Sequence, residues 1–280
     1  MSLLGVFILS PDSLLIRLAA LDNFTLVFYR GVFPIIAITI LLLLYYRSGF
    51  INAVTGIGWA GILNGFLYAT TNITFIYSIQ ITSVANTLVI LSSAPIFAAV
   101  LSLVVLKENQ RPITWVVIGI ALISITIIGL GSYRLGGGLA GDLFALACAF
   151  TTGCSAVLVR YKKEIDLVPS VIIGSMIMAV FAYTMSSDIS VSSTQFIYIA
   201  IIGFLLVPFA FMILTIAPRF TSSAEVQLIY LLESILGPLW VWLVIRETPS
   251  TNTFIGGAML LAAVFWFAIH AAKQESCPEL

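Results

Sequence analysis

The sequence predicts an all-α integral membrane protein, with ten transmembrane helices arranged as two inverted five-helix repeats. Of its 280 residues, 61% are hydrophobic and 9% are charged, and the mean hydropathy is +1.15. A soluble domain is about one quarter charged. Long apolar runs without period-two alternation indicate helices, because only helices and closed barrels satisfy their backbone in lipid. The second half also repeats elements of the first at a fixed distance.

The apolar runs divide into segments of the length that crosses a bilayer, roughly 20 residues. Charged and turn-rich clusters separate ten predicted spans: 2–20, 24–46, 57–78, 82–106, 112–131, 139–160, 168–187, 194–217, 221–245 and 252–272. The connectors are short, so no soluble domain is expected between spans.

The distribution of basic residues predicts the orientation. Ten spans place both termini on one side, and cytoplasmic loops are enriched in Lys and Arg. Arg134 and Arg246 lie clearly on the opposite side, against eight basic residues on the terminus side: Arg47, Lys107, Arg111, Arg160, Lys162, Lys163, Arg219 and Lys273. We therefore expect both termini in the cytoplasm.

An internal repeat divides the chain into residues 1–135 and 136–280, with five spans each. A shift of 139 residues aligns Thr82-Ser83-Val84-Ala85-Asn86 with Thr221-Ser222-Ser223-Ala224-Glu225, and Lys107-Glu108 with Arg246-Glu247. Because five is odd, the second copy enters the membrane from the opposite face, as in many secondary transporters. A substrate cavity is expected between the halves, near the bilayer midplane.

Motifs in both halves resemble a known family. The first half contains Ser93-Ala94-Pro95-Ile96-Phe97-Ala98, Leu106-Lys107-Glu108 and the stretch from Trp115 to Gly119; the second contains Tyr230-Leu231-Leu232-Glu233-Ser234, Gly237-Pro238-Leu239-Trp240 and Gly256-Gly257. These resemble the EamA module of the drug/metabolite transporter superfamily, in two copies that cover nearly the whole chain. The resemblance implies a ten-helix bundle in a bacterial inner membrane, with a central cavity. It also implies alternating access, most often for export of metabolites, amino acids or drug-like compounds. Ser234 stands where the family often has proline, so Pro238 is expected to break this helix instead.

Polar residues in the third span form a stripe. Asn64, Tyr68 and Asn72 recur every four residues and so lie on one side of a helix. They either line the substrate cavity or join neighbouring helices through the asparagine amides.

The fourth span contains a predicted helix break. Asn86 and Ser93 precede Pro95, whose missing N–H leaves a carbonyl unpaired. Broken helices often mark substrate sites in transporters, but serine hydroxyls also satisfy ordinary proline kinks.

The ninth span contains Glu233 at mid-depth, with Tyr230 and Trp240 as further candidate substrate-binding residues. An acid inside a membrane usually marks a substrate or proton pathway. Glu233 is predicted to couple protons or to bind a substrate ammonium; the alternative is a hydrogen bond to a neighbouring helix.

Three charged residues occur early in the chain. Asp12 and Arg30 are predicted to form a coupling or ion-pairing site, because spans one and two are joined by a short turn. Arg17 is expected to extend to the membrane interface.

The composition excludes several functions. With one histidine and three scattered cysteines, the chain lacks a recognisable nucleophile and base, disulfide framework or metal site. We therefore expect neither an enzyme nor a cofactor. Zero net charge gives no indication of nucleic-acid binding. The predicted partners are a small-molecule substrate and the lipid bilayer, with the chain acting as a monomer or a homodimer. The alternative function is a channel or facilitator without coupled alternating access.

Overall fold

The computed structural model describes residues 2–107, 112–134, 138–186, 188–209 and 233–275. Within these ranges the chain is helical, with connectors and no strand. The helices are α1 Ser2–Leu9, α2 Asp12–Ala19, α3 Asn23–Tyr46, α4 Phe50–Thr55, α5 Gly58–Ile81, α6 Val84–Leu91, α7 Ala94–Val105, α8 Pro112–Arg134, α9 Leu139–Tyr161, α10 Ser170–Met185, α11 Ser193–Ala200, α12 Glu233–Ile245 and α13 Thr251–Glu275. A π-helical segment, Ile201–Leu206, continues α11.

Two predicted spans are broken helices. The first consists of α1 and α2, separated at Ser10 and Pro11, and the fourth consists of α6 and α7, separated at Ser92 and Ser93. In each case a proline lies at the start of the following helix, where its missing N–H removes no intrahelical bond. These breaks bring backbone polar groups into the interior of the bundle.

Side chains with short polar groups begin several helices. The Asp22 carboxylate accepts a hydrogen bond from the Thr25 backbone N–H at 3.0 Å, and so caps α3. The Ser83 hydroxyl caps α6 by accepting from the Asn86 backbone N–H at 3.1 Å. Ser192 and Gln195 form a reciprocal capping box at α11. The local sequence thus fixes where α3, α6 and α11 begin.

Helices from the two predicted halves pack directly against each other. From the first half, α3 packs on α10 of the second half, and α5 packs on both α9 and α10 of the second half. The contact between α5 and α10 is close because a Cβ added to Gly174 would lie 2.5 Å from the Gly65 carbonyl oxygen. At another edge of the bundle, α8 and α6 pack on α13. The main apolar core accordingly contains residues of both halves, among them Leu26, Ile76, Leu88, Met178 and Ile202.

The outer surface of the bundle is strongly apolar. Large hydrophobic side chains such as Leu44, Ile51, Val104 and Phe254 are at least 70% exposed. Continuous exposed apolar surface of this kind is unfavourable in water and suits lipid. Three helical stretches are long and apolar enough to cross a membrane, namely Asn23–Thr55, Val84–Val105 and Leu139–Tyr161. Further apolar helices among the described residues are shorter.

The all-helical class is confirmed, whereas the count of ten membrane crossings and the inverted repeat stay predictions. Residues 221–232 of the ninth predicted span and residues 210–217 of the eighth lie outside the described residues. The connector between the second and third spans contains two short helical elements, Arg47–Gly49 and α4, where we expected only a short loop.

Candidate functional site

A buried ion pair joins α2 to α3. The Arg30 guanidinium donates from Nη1 to both carboxylate oxygens of Asp12, at 2.7 and 2.8 Å. The two residues are 6% and 3% exposed. Asp12 reaches this position because the chain breaks at Pro11 and restarts as α2. A buried charge needs a partner of this kind, because desolvation of an unpaired ion is very unfavourable.

The α5 polar stripe adds two residues to this pair. Arg30 Nη2 donates to Asn72 Oδ1 at 3.3 Å, and the Asn72 amide donates to the Tyr68 carbonyl at 3.0 Å. The Tyr68 side chain is buried and lies beside Asn72 and Ser175. On the remaining side of Arg30, the ring of Phe75 has its centroid 5.8 Å from the guanidinium carbon, within cation–π distance.

Glu233 contributes an acid from the opposite half of the sequence. Its half-buried carboxyl group interacts electrostatically with Asp12 and Arg30. We call Asp12, Arg30, Tyr68, Asn72 and Glu233 the Arg30 cluster. It joins two acids, one cation, an amide and a phenol, and so could recognise a substrate bearing both charge and an aromatic or apolar body.

Asn64 is not part of the Arg30 cluster. Its amide nitrogen donates to the Ser170 hydroxyl at 2.8 Å, and its amide oxygen accepts from the Ser155 hydroxyl at 2.7 Å. Both ends of the buried amide therefore bind α9 and α10. This geometry is the helix contact that the sequence left open as the alternative to lining a cavity.

The remaining candidates are spread through the bundle. Ser93 Oγ donates to the Ile90 carbonyl at 2.7 Å, so its hydroxyl bonds back to the preceding helix at the break before Pro95. Trp240 Nε1 donates to Ser10 Oγ at 2.9 Å and so attaches α12 to the break between α1 and α2. Tyr230 lies outside the described residues.

A second buried polar group, the Asp142 cluster, contains Thr82, Asn86, Asp142 and Thr253. Asp142 Oδ1 accepts from Thr82 Oγ1 at 2.8 Å and from Asn86 Nδ2 at 3.1 Å. The Thr253 hydroxyl donates to Asn86 Oδ1. Asp142 is 3% exposed, and its Oδ2 has no hydrogen-bond partner among the described residues. Asn86 thus belongs to this cluster and not to the Arg30 cluster.

Arg17 extends this polar region towards Glu247. Arg17 Nη2 donates to the Thr82 carbonyl at 2.8 Å and lies 3.5 Å from Glu247 Oε2. Glu247 Oε1 also accepts from the Val84 backbone N–H at 2.9 Å. Thr82 caps the end of α5 and Glu247 lies in the connector between α12 and α13, so Arg17 is paired at helix ends, and its extension to the membrane interface stays a prediction.

Sequence reasoning missed the Asp142 cluster as a unit. Asp142 follows Gly141 at the start of an apolar span, where an acid resembles an ordinary helix end. The available signal was an acid inside the boundary of a predicted span, which is expensive in a membrane. Elsewhere, the described residues contain no group of three His, Cys, Asp or Glu side chains that could hold a metal ion.

The two halves of the chain each match the model of the EamA-like transporter family, over residues 1–130 and 139–269. The chain belongs to the EamA-like transporter family. This family is part of the drug/metabolite transporter superfamily.

Two further similarities agree with this assignment. The chain is 26% identical over 194 residues to an uncharacterized transporter, YdfC, of Bacillus subtilis (strain 168). That alignment covers 66% of this EamA-like chain and 63% of YdfC, which is less than two thirds of the relative's length. A solved crystal structure of a protein superposes with a TM-score of 0.69 at 16% identity, covering 98% of this chain and 97% of the other. At this identity the superposition supports the fold alone.

Proposed function

We propose that this EamA-like protein is a secondary transporter that exports small metabolites, amino acids or drug-like compounds by alternating access. The Arg30 cluster is its substrate site. The observation that carries the proposal is that α12, which begins at Glu233 in the second half of the sequence, packs on α2, whose Asp12 is paired with Arg30. A site formed by both halves changes its exposure when the halves move relative to each other.

The chemistry of the Arg30 cluster favours amino acids with a large apolar or aromatic side chain. Arg30 suits a substrate carboxylate, and Glu233 or Asp12 suits an ammonium group. Tyr68 and Phe75 supply aromatic surface beside these charges. The substrate carboxylate would replace Asp12 as the partner of Arg30, and the substrate ammonium would replace Arg30 as the partner of Asp12. No buried ion would then lack a partner.

The surroundings of the protein follow from the same proposal. The exposed apolar surface suits a bilayer, and the basic residues favour both termini in the cytoplasm. Family membership supports a bacterial inner membrane as the location. In this orientation export requires the Arg30 cluster to open first to the cytoplasm. The interface between the halves lies within one chain, so a monomer suffices, and a homodimer is equally compatible.

The test is flux through liposomes that contain the purified full chain. Uptake of labelled phenylalanine, tryptophan and leucine should saturate, and unlabelled substrate on the opposite side should accelerate it. Such counterflow requires a site that alternates between the two faces. Uptake that rises linearly with concentration, without counterflow, would instead support a channel or facilitator and overturn alternating access.

Orientation is tested separately. Cysteines placed at Lys163 and Thr194, at predicted opposite ends of the bundle, are labelled in whole cells with a maleimide that cannot cross the membrane. Both side chains are exposed. Labelling at Thr194 but not at Lys163 supports cytoplasmic termini, and the reverse pattern contradicts them.

A further inference from the structure

The Asp142 cluster lies apart from the Arg30 cluster and has no role in substrate recognition as proposed above. Only one of the two oxygens of the Asp142 carboxylate accepts hydrogen bonds within the described part of the chain. Oδ1 accepts two hydrogen bonds, whereas Oδ2 is buried and has no partner among the described residues. An ionised oxygen in this state has lost its water without gaining a donor, which is unfavourable in a protein interior.

A single proton on Oδ2 removes the charge and so lowers this cost, although the new O–H has no acceptor among the described residues. A metal ion fits less well, because hard cations require several oxygen ligands. Asp142 Oδ1 already accepts from Thr82 and Asn86, and Asn86 Oδ1 accepts from Thr253. Of the carboxylate and amide oxygens in the Asp142 cluster, Asp142 Oδ2 is therefore the one that can still bind a ligand.

The charged and titratable groups around Asp142 supply no counter-ion in the described contacts. From α2, Arg17 is engaged by the Thr82 carbonyl and by Glu247. From α5, Tyr77 packs on Phe144 with ring centroids 5.4 Å apart. Neither α6 nor α7 contains a titratable residue, and α8 has Tyr133 and Arg134 in its last turn. In α13 the titratable residues lie at the end remote from Thr253.

The Asp142 cluster also joins the two halves. Thr82 and Asn86 belong to the first half, whereas Asp142 and Thr253 belong to the second. The approach is close, because a Cβ added to Gly141 would lie 2.6 Å from the Thr82 Cβ. The Arg17–Glu247 ion pair crosses between the halves at the same end of the bundle. Separating the halves here must break these bonds and admit water to Asp142.

We propose that Asp142 is a proton-binding site that holds this end of the bundle closed. The closed form keeps the proton on Oδ2, where water is excluded. The open form releases it to water, since the hydrated carboxylate then needs no partner. A ligand that binds one of two conformations favours that conformation, so low pH stabilises closure and high pH favours opening. The opening step rests on the proposed alternating access, but proton binding does not.

The experiment measures opening without any substrate. Cys148, Cys154 and Cys277 are replaced by serine or alanine, and Val84→Cys is introduced in the full chain in lipid nanodiscs. Val84 is 1% exposed and lies between the two halves at this end, so a maleimide reaches it only after opening. Its backbone bond to Glu247 does not depend on the side chain. Thr194→Cys, at an exposed position, corrects for the effect of pH on the thiol reaction.

The corrected labelling rate should rise with pH, by up to about tenfold per pH unit if one proton controls opening. Asp142→Asn, which resembles the protonated acid, should label slowly at every pH. A pH profile that Asp142→Asn leaves unchanged would overturn the proposal. Glu233→Gln is the matched control, and it should keep the pH dependence even if it abolishes transport.

A second variant covers the case in which Asp142→Asn does not fold. Thr82→Val removes one donor to the carboxylate but keeps the Thr82 carbonyl that Arg17 binds. Because Thr82 is one of the two donors to this carboxylate, the pH at which labelling rises should change in the variant. A rise that stays at the same pH would contradict proton binding at Asp142. Flux in liposomes is not needed for any of these outcomes, so failure of the proposed transport function is distinguishable.

Discussion

Arg30 engages both carboxylate oxygens of Asp12 from a single nitrogen, across the contact between α2 and α3. The pair has two consequences. It positions α2 after the helix break at Pro11, and it prepares a cation and an acid beside Tyr68 and Asn72 for exchange with a charged substrate. Stability and transport therefore depend on the same two side chains in different ways.

Removing one member of the pair should destabilise the protein more than removing both. Arg30→Met or Asp12→Leu alone leaves a buried ion unpaired, at a cost of about 3–5 kcal/mol, whereas the double variant leaves none. Thermal unfolding of the purified chain in detergent measures the difference. Lys163→Gln, at an exposed position, serves as the control and should be nearly neutral. A double variant as unstable as the sum of the single variants would show that the pair is not coupled.

The sequence predicted much of the fold but less of the site. Apolar runs gave the helical class, and Pro95 marked the break in the fourth span, whereas the break at Pro11 was not predicted. The four-residue spacing correctly suggested that Tyr68 and Asn72 lie together. The spacing did not show that Asn64 faces a different direction from Asn72, because each step of four residues turns about 40° around a helix. Over two steps Asn64 faces α9 and α10 while Asn72 faces Arg30.

The Asp142 cluster could not be predicted because it depends on tertiary contacts. Thr82 and Asn86 meet Asp142 only after helices of the two halves pack together, and Gly141 permits the approach. Each residue alone looks like a helix end. The same limit applies to Arg17, whose partners Thr82 and Glu247 lie far away in the sequence.

The crossing of α5 and α10 should be sensitive to a single methyl group. In Gly174→Ala the new Cβ would lie 2.5 Å from the Gly65 carbonyl oxygen and 2.7 Å from Tyr68 Cδ1. The backbone must move apart, with a loss of about 1–3 kcal/mol in the free energy of unfolding. Gly119→Ala is the matched control, since nothing lies within 4 Å of its added Cβ. If both variants unfold at the same temperature, the helices do not pack as closely as described.

The loop between α10 and α11 offers a test outside the bundle. The Ser190 backbone N–H and hydroxyl both donate to the Asp188 carboxylate at 2.8 Å, and these bonds lower the pKa of Asp188. Bonds to the charged form stabilise the loop above the ordinary Asp range and are lost as pH falls through the lowered value. In Ser190→Ala the pKa of Asp188 should move back towards its ordinary value, measured by carboxyl NMR. An unchanged pKa would mean that the hydroxyl contributes nothing.

A comparison of Asn64 with Asn72 distinguishes an asparagine that joins helices from one that binds substrate. Asn64→Ala leaves the Ser155 hydroxyl without its acceptor and removes the donor to Ser170, whose hydroxyl still donates to the Leu167 carbonyl, so stability should fall by about 1–3 kcal/mol. The KM of the remaining folded protein should stay unchanged. Asn72→Ala is the comparison, because its oxygen binds Arg30 and its loss should raise KM. A raised KM in Asn64→Ala, measured by flux in liposomes, would return Asn64 to the substrate site.

Glu233 decides whether transport is coupled to protons. Glu233→Gln keeps the size of the side chain but cannot ionise, so the chain should fold normally. A pH gradient across the membrane should then no longer drive transport, because the variant has no proton to exchange at this position, whereas opening at the Asp142 cluster still varies with pH. Flux of the same labelled amino acid across a range of pH, inside and outside the liposomes, measures this. Transport that a pH gradient still drives in Glu233→Gln, but not in Asp142→Asn, would assign the coupling proton to the Asp142 cluster instead.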